Sequence, residues 1–410
     1  MRSSRAASLP CLAALFAASF SHAQETRSSP RLLLDRKLAE RQVQFTGIDD
    51  RTVMYIDSAG QPRTDLLSDY LAILPLPEAV PVRAVSFIEL ADGQRISGAL
   101  VTGRTPPADC LLWGHLGLGA LTLPLDSIRR IQLQGGVPLP LPRPDESADT
   151  ILLINGDRLD GFLESIAAEV TIATGDAPRT IPADRVQEII LSAARPAEPI
   201  RSPIAWISDG SILACRSISS TRTGEVVLSP TIGVQESAEP GTEARLIASE
   251  TLSMRLDDLR ALIVDPALIA PLSSLRIAAQ TPAPERRWAR PAQPIEPRWA
   301  PAGLADVELP GPMSVEWDLP PAAARFAAEV ELPRQMWTWG DGEVSVSIIT
   351  AQGESEVWRR RVNAESPRAR IVATIPPAAR RLRIVLHPGE FGAVQDKIIL
   401  RRGVILLEPR

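Results

Sequence analysis

Asp92-Gly93-Gln94-Arg95-Ile96-Ser97-Gly98 comes back twice along this chain. Asn155-Gly156-Asp157-Arg158-Leu159-Asp160-Gly161 repeats it, and Asp209-Gly210-Ser211-Ile212-Leu213-Ala214-Cys215 repeats it again with Cys215 in place of the last glycine. The shared form is [Asp/Asn]-Gly-x-x-aliphatic-x-Gly. An Asp-Gly or Asn-Gly pair between alternating apolar runs predicts a hairpin with a type I′ turn, whose two central residues both need positive φ. The last glycine suits a sharp strand bend or bulge, where a side chain would clash.

A second motif follows each copy. Leu123-Pro-Leu-Asp126-Ser-Ile128-Arg-Arg-Ile131, Ile181-Pro-Ala-Asp184-Arg-Val186-Gln-Glu-Ile189 and Met254-Arg-Leu-Asp257-Asp-Leu259-Arg-Ala-Leu262 align without a gap. The Asp fits the start of a brief helical turn, where a carboxylate caps free backbone N–H groups. A worn copy stands upstream: Phe45-Thr46-Gly47 matches the end of the hairpin motif, and Ser68-Asp69-Tyr70-Leu71-Ala72-Ile73-Leu74 matches the closing segment. Periodicity at this scale means repeated supersecondary units. We read four, at 31–76, 82–136, 147–192 and 200–266, joined by proline-rich spacers that favour extended connections. Short strands with turn signals at this spacing resemble SH3-like or Sm-like small β-barrels in tandem, a topology shared by many functions.

The totals bound the rest. The chain has 410 residues, 45% hydrophobic and 23% charged, with a net charge of −5. That composition is globular, and the acidic balance argues against nucleic acid as a partner. Arg2 and Arg5, the apolar stretch Leu9 to Phe20 and Ser21-His22-Ala23 read as a signal peptide over 1–23, with Gln24 the first mature residue. No later apolar run approaches the ~20 residues that span a bilayer. The expectation is an exported protein, periplasmic or extracellular, with no membrane span. Beyond the leader the cysteines are Cys110 and Cys215; sequence leaves open whether they pair, and two separate thiols is the simpler reading.

Past a proline-rich entry at 266–321, strong alternation returns in 314–401 through at least seven short segments, among them Val315-Glu-Trp317-Asp-Leu319, Glu343-Val-Ser-Val-Ser-Ile-Ile349 and Arg381-Leu-Arg-Ile-Val-Leu386. Many short strands without a helical stretch predict a two-sheet β-sandwich over 267–410. The fold class is therefore all-β: tandem small barrels, then a jelly-roll-like sandwich.

The order of landmarks in 313–410 resembles the NPCBM-type carbohydrate-binding module. They are Phe326-Ala-Ala-Glu-Val330, Gly340-Asp-Gly-Glu-Val344, Glu356-Val-Trp358, Arg381-Leu382-Arg-Ile-Val-Leu386 and Gly392-Ala-Val-Gln-Asp396. The chain departs from that pattern at Lys397 and Leu400, where the family carries an acid and an aromatic, and it lacks an early Gly-His phrase before Val315. The resemblance implies a jelly roll beside polysaccharide or an envelope glycan.

Six of the eight tryptophans lie after residue 287. Trp337 and Trp339 alternate, so on an extended strand they would share a face and could stack on sugar rings. Asp341, Glu343, Gln395 and Asp396 could hydrogen-bond hydroxyls. The competing reading puts Trp317 and Trp358 in the sandwich core, Trp337 and Trp339 over an edge, and the acids in turns.

Catalytic and metal motifs are absent from the sequence. Only His115 and His387 remain after the leader, no His-Glu-x-x-His or Cys-x-x-Cys occurs, and there is no Gly-x-Ser-x-Gly elbow or phosphate loop. His115, in Trp113-Gly-His-Leu, reads as a loop residue. No loop has the oxygen ligands of an EF-hand. No cofactor is expected. The reading is a non-enzymatic glycan-binding protein; the alternatives are an envelope scaffold that binds proteins, and an accessory part of a glycosidase system.

Overall fold

The computed structural model describes residues 29–76, 83–136, 148–175, 177–192, 199–221, 224–232, 250–284, 290–394 and 396–408. The expected leader lies outside them. Among the described residues there are strands and 3-10 turns and no α-helix.

The repeat is visible as a strand pattern. In unit 1, Ser29–Asp35 pairs with both Glu40–Ile48 and Tyr70–Leu74; Thr52–Ile56 and Pro62–Leu66 continue the meander. Units 3 and 4 repeat this order, from Asp149–Leu153 to Val186–Ile190 and from Ile204–Ile207 to Leu259–Ile263. In unit 2, Phe87–Leu90 likewise pairs with Arg95–Ser97 and Ile128–Gln132. There the meander breaks at Gly98, and Ala99–Leu100, Cys110–His115 and Gly119–Pro124 form a separate three-stranded sheet. Gly98 has φ +144°, and a Cβ on it would lie 2.1 Å from the Gly114 carbonyl oxygen, so only glycine permits the crossing.

The hairpin turn differs from the expected type I′. Gly93, Gly156 and Gly210 have φ of 90°, 90° and 91°, whereas Asp92, Asn155 and Asp209 do not have positive φ. Gly93 N–H donates to Leu90 O (3.0 Å) and Leu90 N–H to Gln94 O (2.8 Å). This is a three-residue loop, a turn followed by one left-handed residue. The Asp or Asn plays a separate part, because its Oδ1 accepts from the N–H two residues on, at 2.9 Å in Asp92, 3.1 Å in Asn155 and 2.8 Å in Asp209. Unit 1 makes the same loop with Leu38 in the glycine position, at φ 63°. That costs strain, of order 1 kcal/mol or more, and it is tolerated because Leu38 is fully buried.

Unit 1 therefore aligns differently from the sequence reading. Counting from Leu38, the bend position falls on Val43 and not on Gly47. Gly47 sits instead at a bulge against unit 4, where an added Cβ would meet Ser220 Oγ at 2.7 Å. The closing segment shifts by one as well. The 3-10 turns are Leu67–Asp69, Leu125–Ser127, Ala183–Arg185 and Leu256–Asp258, so Ser68, and not Asp69, stands with Asp126, Asp184 and Asp257. None of these turns has a side-chain cap, which corrects the capping role given to the acids. Their cap positions are Leu66, Pro124, Pro182 and Arg255, which offer no acceptor.

The units assemble through their last strands. Ile128–Gln132 of unit 2 lies antiparallel to Val186–Ile190 of unit 3, and Leu259–Ile263 of unit 4 to Tyr70–Leu74 of unit 1. One continuous apolar core then runs through all four, from Leu33 and Phe45 through Trp113, Ile131 and Ile189 to Leu262. Full burial of side chains of this size contributes about 1.5–3 kcal/mol each, before the entropy of ordering is subtracted.

The C-terminal part is a two-sheet sandwich, as expected. Strands Ile277–Pro282, Met313–Asp318, Asp341–Thr350, Gly353–Asn363 and Ala379–His387 make one sheet. Val307–Leu309, Ala323–Glu331, Arg368–Thr374 and Ile398–Leu407 build most of the other, with Ile269–Pro271 on its margin. Trp317, Phe326, Val346, Ile384 and Ile405 fill the space between them, and half-buried Trp358 packs against that core. The second sheet is covered on its outer face too. Phe326 and Ala328 point into the sandwich, while Ala327 points to Leu34, Leu38 and Leu71 of unit 1. Ile405 points in, and Val404 and Leu406 point out. Two buried faces need a continuous apolar run, and Gly403-Val-Ile-Leu-Leu407 supplies one. Glu40 of unit 1, 2.9 Å from both Arg370 and Arg402, closes the edge of this contact.

Candidate functional site

One end of the sandwich gathers exposed aromatic rings. Trp337 and Trp339 do not lie on a strand: they occupy the turn after the 3-10 segment Arg334–Met336, and Trp337 has helical φ/ψ (−65°, −21°). Gly340 N–H donates to Met336 O at 2.7 Å and closes that turn. The expected shared strand face is therefore absent; Pro333 sets φ for a turn, and the 3-10 bonds leave no ladder for the indoles to join. Both rings are exposed, 39% for Trp337 and 51% for Trp339. The Trp337 indole N–H donates to Leu332 O at 3.0 Å, which fixes that ring. Trp339 meets Phe391 edge to face, with centroids 5.6 Å apart and an interplanar angle of 81°. Phe391 is 51% exposed.

The acids behind these rings are structural partners of one another. Asp341 is buried at the start of its strand, where both carboxylate oxygens take the Arg361 guanidinium. Its Oδ2 also accepts from Glu390 N–H at 2.9 Å, which ties the Phe391 loop to the sheet. These bonds, the one from Arg361 foremost, hold its carboxyl below the ordinary range. A Cβ on Gly389 would come 1.3 Å from Asp341 O, so this close approach requires glycine. Asp396 is buried, and its Oδ1 faces Asp341 N at 3.4 Å. Glu343, two residues along from Asp341 and on the same face, pairs with Arg359, which also holds Glu356. Gln395 lies outside the described residues. Thus the structure gathers Trp337, Trp339, Asp341 and Asp396 at one end, and commits Asp341 and Glu343 to ion pairs.

Sequence reasoning missed Phe391, Arg361 and Glu390. A signal existed for the first: Phe391 stands between Gly389 and Gly392 in Pro388-Gly-Glu-Phe-Gly, an aromatic residue in a turn with no strand to bury it. Chemically, this end offers three exposed aromatic rings, with a guanidinium 56% exposed and a carboxylate 71% exposed beside them.

His115 is not in a loop. It ends the strand Cys110–His115 and is buried. Its Nδ1 accepts from Gly117 and Leu118 N–H at 3.1 and 3.0 Å, so the ring proton sits on Nε2, 3.0 Å from Asp209 Oδ2. Ser211 Oγ is 3.3 Å from that same Nε2. A nucleophile pair needs a ring nitrogen free to take the serine proton, and neither is free. The arrangement joins unit 2 to unit 4. Cys110 and Cys215 are both free thiols; burial pushes Cys215 up to about 12. Among the described residues no group of three or more His, Cys, Asp or Glu could hold a metal ion, and no helix is long and apolar enough to cross a membrane.

A cleft of about 870 Å³ opens among units 2, 3 and 4. Asp92, Asp109, Asp126 and Asp149 line it, and among the described residues no basic side chain does.

No family model matches the chain, and no curated protein matches it. The resemblance of 313–410 to NPCBM-type modules accordingly rests on the quoted residues alone. Among solved structures, the chain is similar to the CBM51-2 and INT domains of Clostridium perfringens ZmpB, at 10% identity and TM-score 0.28, over 44% of this chain and 36% of that one. It is similar to CBM51 from Clostridium perfringens GH95 in complex with methyl-galactose, at 10% identity and TM-score 0.27, over 33% of this chain and 99% of that one. It is also similar to the CBM22-1 xylan-binding domain from Paenibacillus barcinonensis Xyn10C, at 10% identity and TM-score 0.23, over 35% and 95%. The chain thus spans little more than a third of the first of these. Likenesses of this size carry no argument about ligand; the sandwich stands on its own strand pairings.

Proposed function

We propose that this chain is an exported, non-catalytic binding protein that associates with polysaccharide or an envelope glycan through the end of its C-terminal sandwich. In this reading 1–23 is a signal peptide, the units at 31–76, 82–136, 147–192 and 200–266 are small SH3-like barrels, and 267–410 is an NPCBM-like module. One observation carries it: Trp339 and Phe391 stand exposed and edge to face beside exposed Trp337, with Arg361 and Glu390 at their margin. Apolar sugar faces stack on such rings, while charged and amide groups take the hydroxyls. Trp337, Trp339, Asp341, Glu343, Gln395 and Asp396 remain the assigned neighbourhood, with Phe391 added.

The test is a glycan array and affinity electrophoresis with the full chain. Trp339→Ala and Phe391→Ala should each weaken binding about tenfold or more, since a lost stacking contact is worth about 0.5–1.5 kcal/mol beyond its area. Absence of binding to any glycan in the parent protein rejects the proposal.

An interaction scaffold is the second reading, favoured by the carboxylate-lined cleft among units 2, 3 and 4. Its partner would bring basic side chains. Co-purification that persists in Trp339→Ala and is lost in Asp126→Asn would select it.

A further inference from the structure

Glu40, Arg95, Arg158 and Ile212 are counterparts in the four units, each two residues after the turn position held by Leu38, Gly93, Gly156 and Gly210. In three units this position makes a contact with another part of the chain. Arg95 of unit 2 lies opposite Ile212 of unit 4, strand against strand and antiparallel. Glu40 of unit 1 holds Arg370 and Arg402 of the sandwich. In unit 3, Arg158 bonds, among the described residues, only within its own unit: to Asp160 at 2.8 Å and to Thr150 at 3.2 Å. Its side chain is 52% exposed.

The contact between units 2 and 4 is a reciprocal exchange. Gln94 Oε1 accepts from Ala214 N–H at 2.8 Å, and Ser211 Oγ accepts from Ser97 N–H at 3.0 Å. Gln94 and Ser211 both follow the turn glycine directly, and Ser97 and Ala214 both stand four residues after it. The same two positions bond each other once in each direction, around a pseudo-twofold axis beside Arg95 and Ile212. Two copies of this hairpin thus recognise each other within the chain.

Unit 3 has the parts for the same exchange. Asp157 follows Gly156 directly, and Asp160 stands four residues after it. In unit 2, Gln94 Nε2 donates to Asp92 Oδ2 at 2.8 Å, which aims the amide and leaves Oε1 for Ala214. In unit 3, Asn155 Nδ2 donates to Asp157 Oδ2 at 2.7 Å, which aims the carboxylate and leaves Oδ1 without a bond among the described residues. The strand edge at 158–160 is open there too. Arg158–Ile166 pairs with Asp149–Leu153 along one side, and with Glu169–Thr174 only from Phe162 onward. An open edge is a template for pairing. Two large apolar side chains flank it, Ile154 at 54% exposure and Phe162 at 62%. Their counterparts are Arg36 and Gln44, Ala91 and Ala99, and Ser208 and Arg216, so unit 3 alone places large apolar groups at both positions.

We propose that the 154–162 edge of unit 3 is a self-association surface, at which two copies of this chain meet around a true twofold axis in the register that joins units 2 and 4. Asp157 Oδ1 of each copy accepts from the Asp160 N–H of the other, a charge-assisted bond made twice. The two Arg158 side chains meet near the axis, each already neutralised by its own Asp160. Ile154 and Phe162 border the contact and are withdrawn from water by it. The occupant is a second copy because the hairpin is its own partner elsewhere in the chain. Twofold closure uses up the edge, so assembly stops at two.

Sedimentation equilibrium of the full chain, from about 1 to about 300 μM, tests this: the parent should form a reversible dimer and no larger species. Asp157→Gln installs the unit 2 residue and should keep the dimer. Asp157→Leu and Phe162→Ser should each weaken it about tenfold or more, because each change acts twice across the axis. Both side chains are exposed in the single chain, so the variants should fold like the parent. Mild oxidation of Arg158→Cys in a Cys110→Ser background should give a disulfide-linked dimer, since a twofold contact centred there brings the two thiols within reach. A monomer throughout the range, a dimer indifferent to Asp157→Leu and Phe162→Ser, or no cross-linked species from Arg158→Cys overturns the proposal. Glycan binding at the sandwich end is read separately, so either reading can fail without the other.

Discussion

Ile131 of unit 2 faces Ile189 of unit 3 across an antiparallel ladder, and each is the other's counterpart in the repeat. Leu262 of unit 4 faces Ile73 of unit 1 in the same way. Counting from the 3-10 turns, all four residues hold the same position. Two pairs of units are therefore related by pseudo-twofold contacts of one register, 2 with 3 and 4 with 1. The shared edge is the last strand, so an edge that would be open in a lone unit is paired in the assembly.

The Arg130–Glu188 pair at the first of these contacts is fully buried. Glu188→Ala removes the 2.6 Å ion-pair partner of a buried guanidinium and should destabilise the protein by about 3 kcal/mol. The double change Arg130→Met/Glu188→Leu should recover most of that loss. Urea midpoints of the three proteins check both statements.

Gly161 is the bend residue of unit 3, and a Cβ there would lie 2.2 Å from the Ala173 carbonyl oxygen. Gly161→Ala should cost about 2–4 kcal/mol, because backbone must move to make room. Gly98→Ala should cost at least as much, since it adds an unfavourable φ to a similar clash. Thermal denaturation measures both.

Asp209 is pushed up by burial, but hydrogen bonds from the His115 ring, Ser211 N–H and the Ser97 side chain outweigh this and hold it down at about 2. A carboxyl depressed in the folded state gives stability that is present above its ordinary value of 3.8 and lost as pH falls toward 2. The parent protein should lose Tm steeply across that window. Asp209→Asn should begin lower at neutral pH and show a shallower fall.

Tyr55 and Tyr70, the only tyrosines, both donate to Asp65 Oδ2, at 2.7 and 2.6 Å. Burial first, and then the hydrogen bond to Asp65, raises Tyr70 far above its ordinary 10. A raised acid contributes stability below pH 10 that is lost as pH climbs above it. In Tyr55→Phe, where Tyr70 is the sole tyrosine, phenolate absorbance should appear only well above pH 10, together with unfolding.

Local rules set what is legible in the chain. Glycine freedom and period-2 alternation write the hairpins, the four units and the sandwich into the sequence, because each depends on residues within one or two strands. Unit 1 reads out of register because its turn glycine is Leu38, whose strained φ only the surrounding core explains. Trp337 and Trp339 stand out as aromatic residues, but their alternation suggests a strand where Pro333 and the 3-10 turn make a corner. Phe391 and Arg361 reach that corner from segments 22 to 54 residues away from Trp337 and Trp339 in the chain.

The sequence by itself determined the all-β class, the repeated hairpin and the abundance of tryptophan in the last third. Only the tertiary structure decided that Ile131 meets Ile189, that Arg130 meets Glu188, and that Trp339 meets Phe391. The physical reason is range. Backbone geometry and alternation act between neighbours, whereas charge balance and ring contact depend on groups that folding brings together.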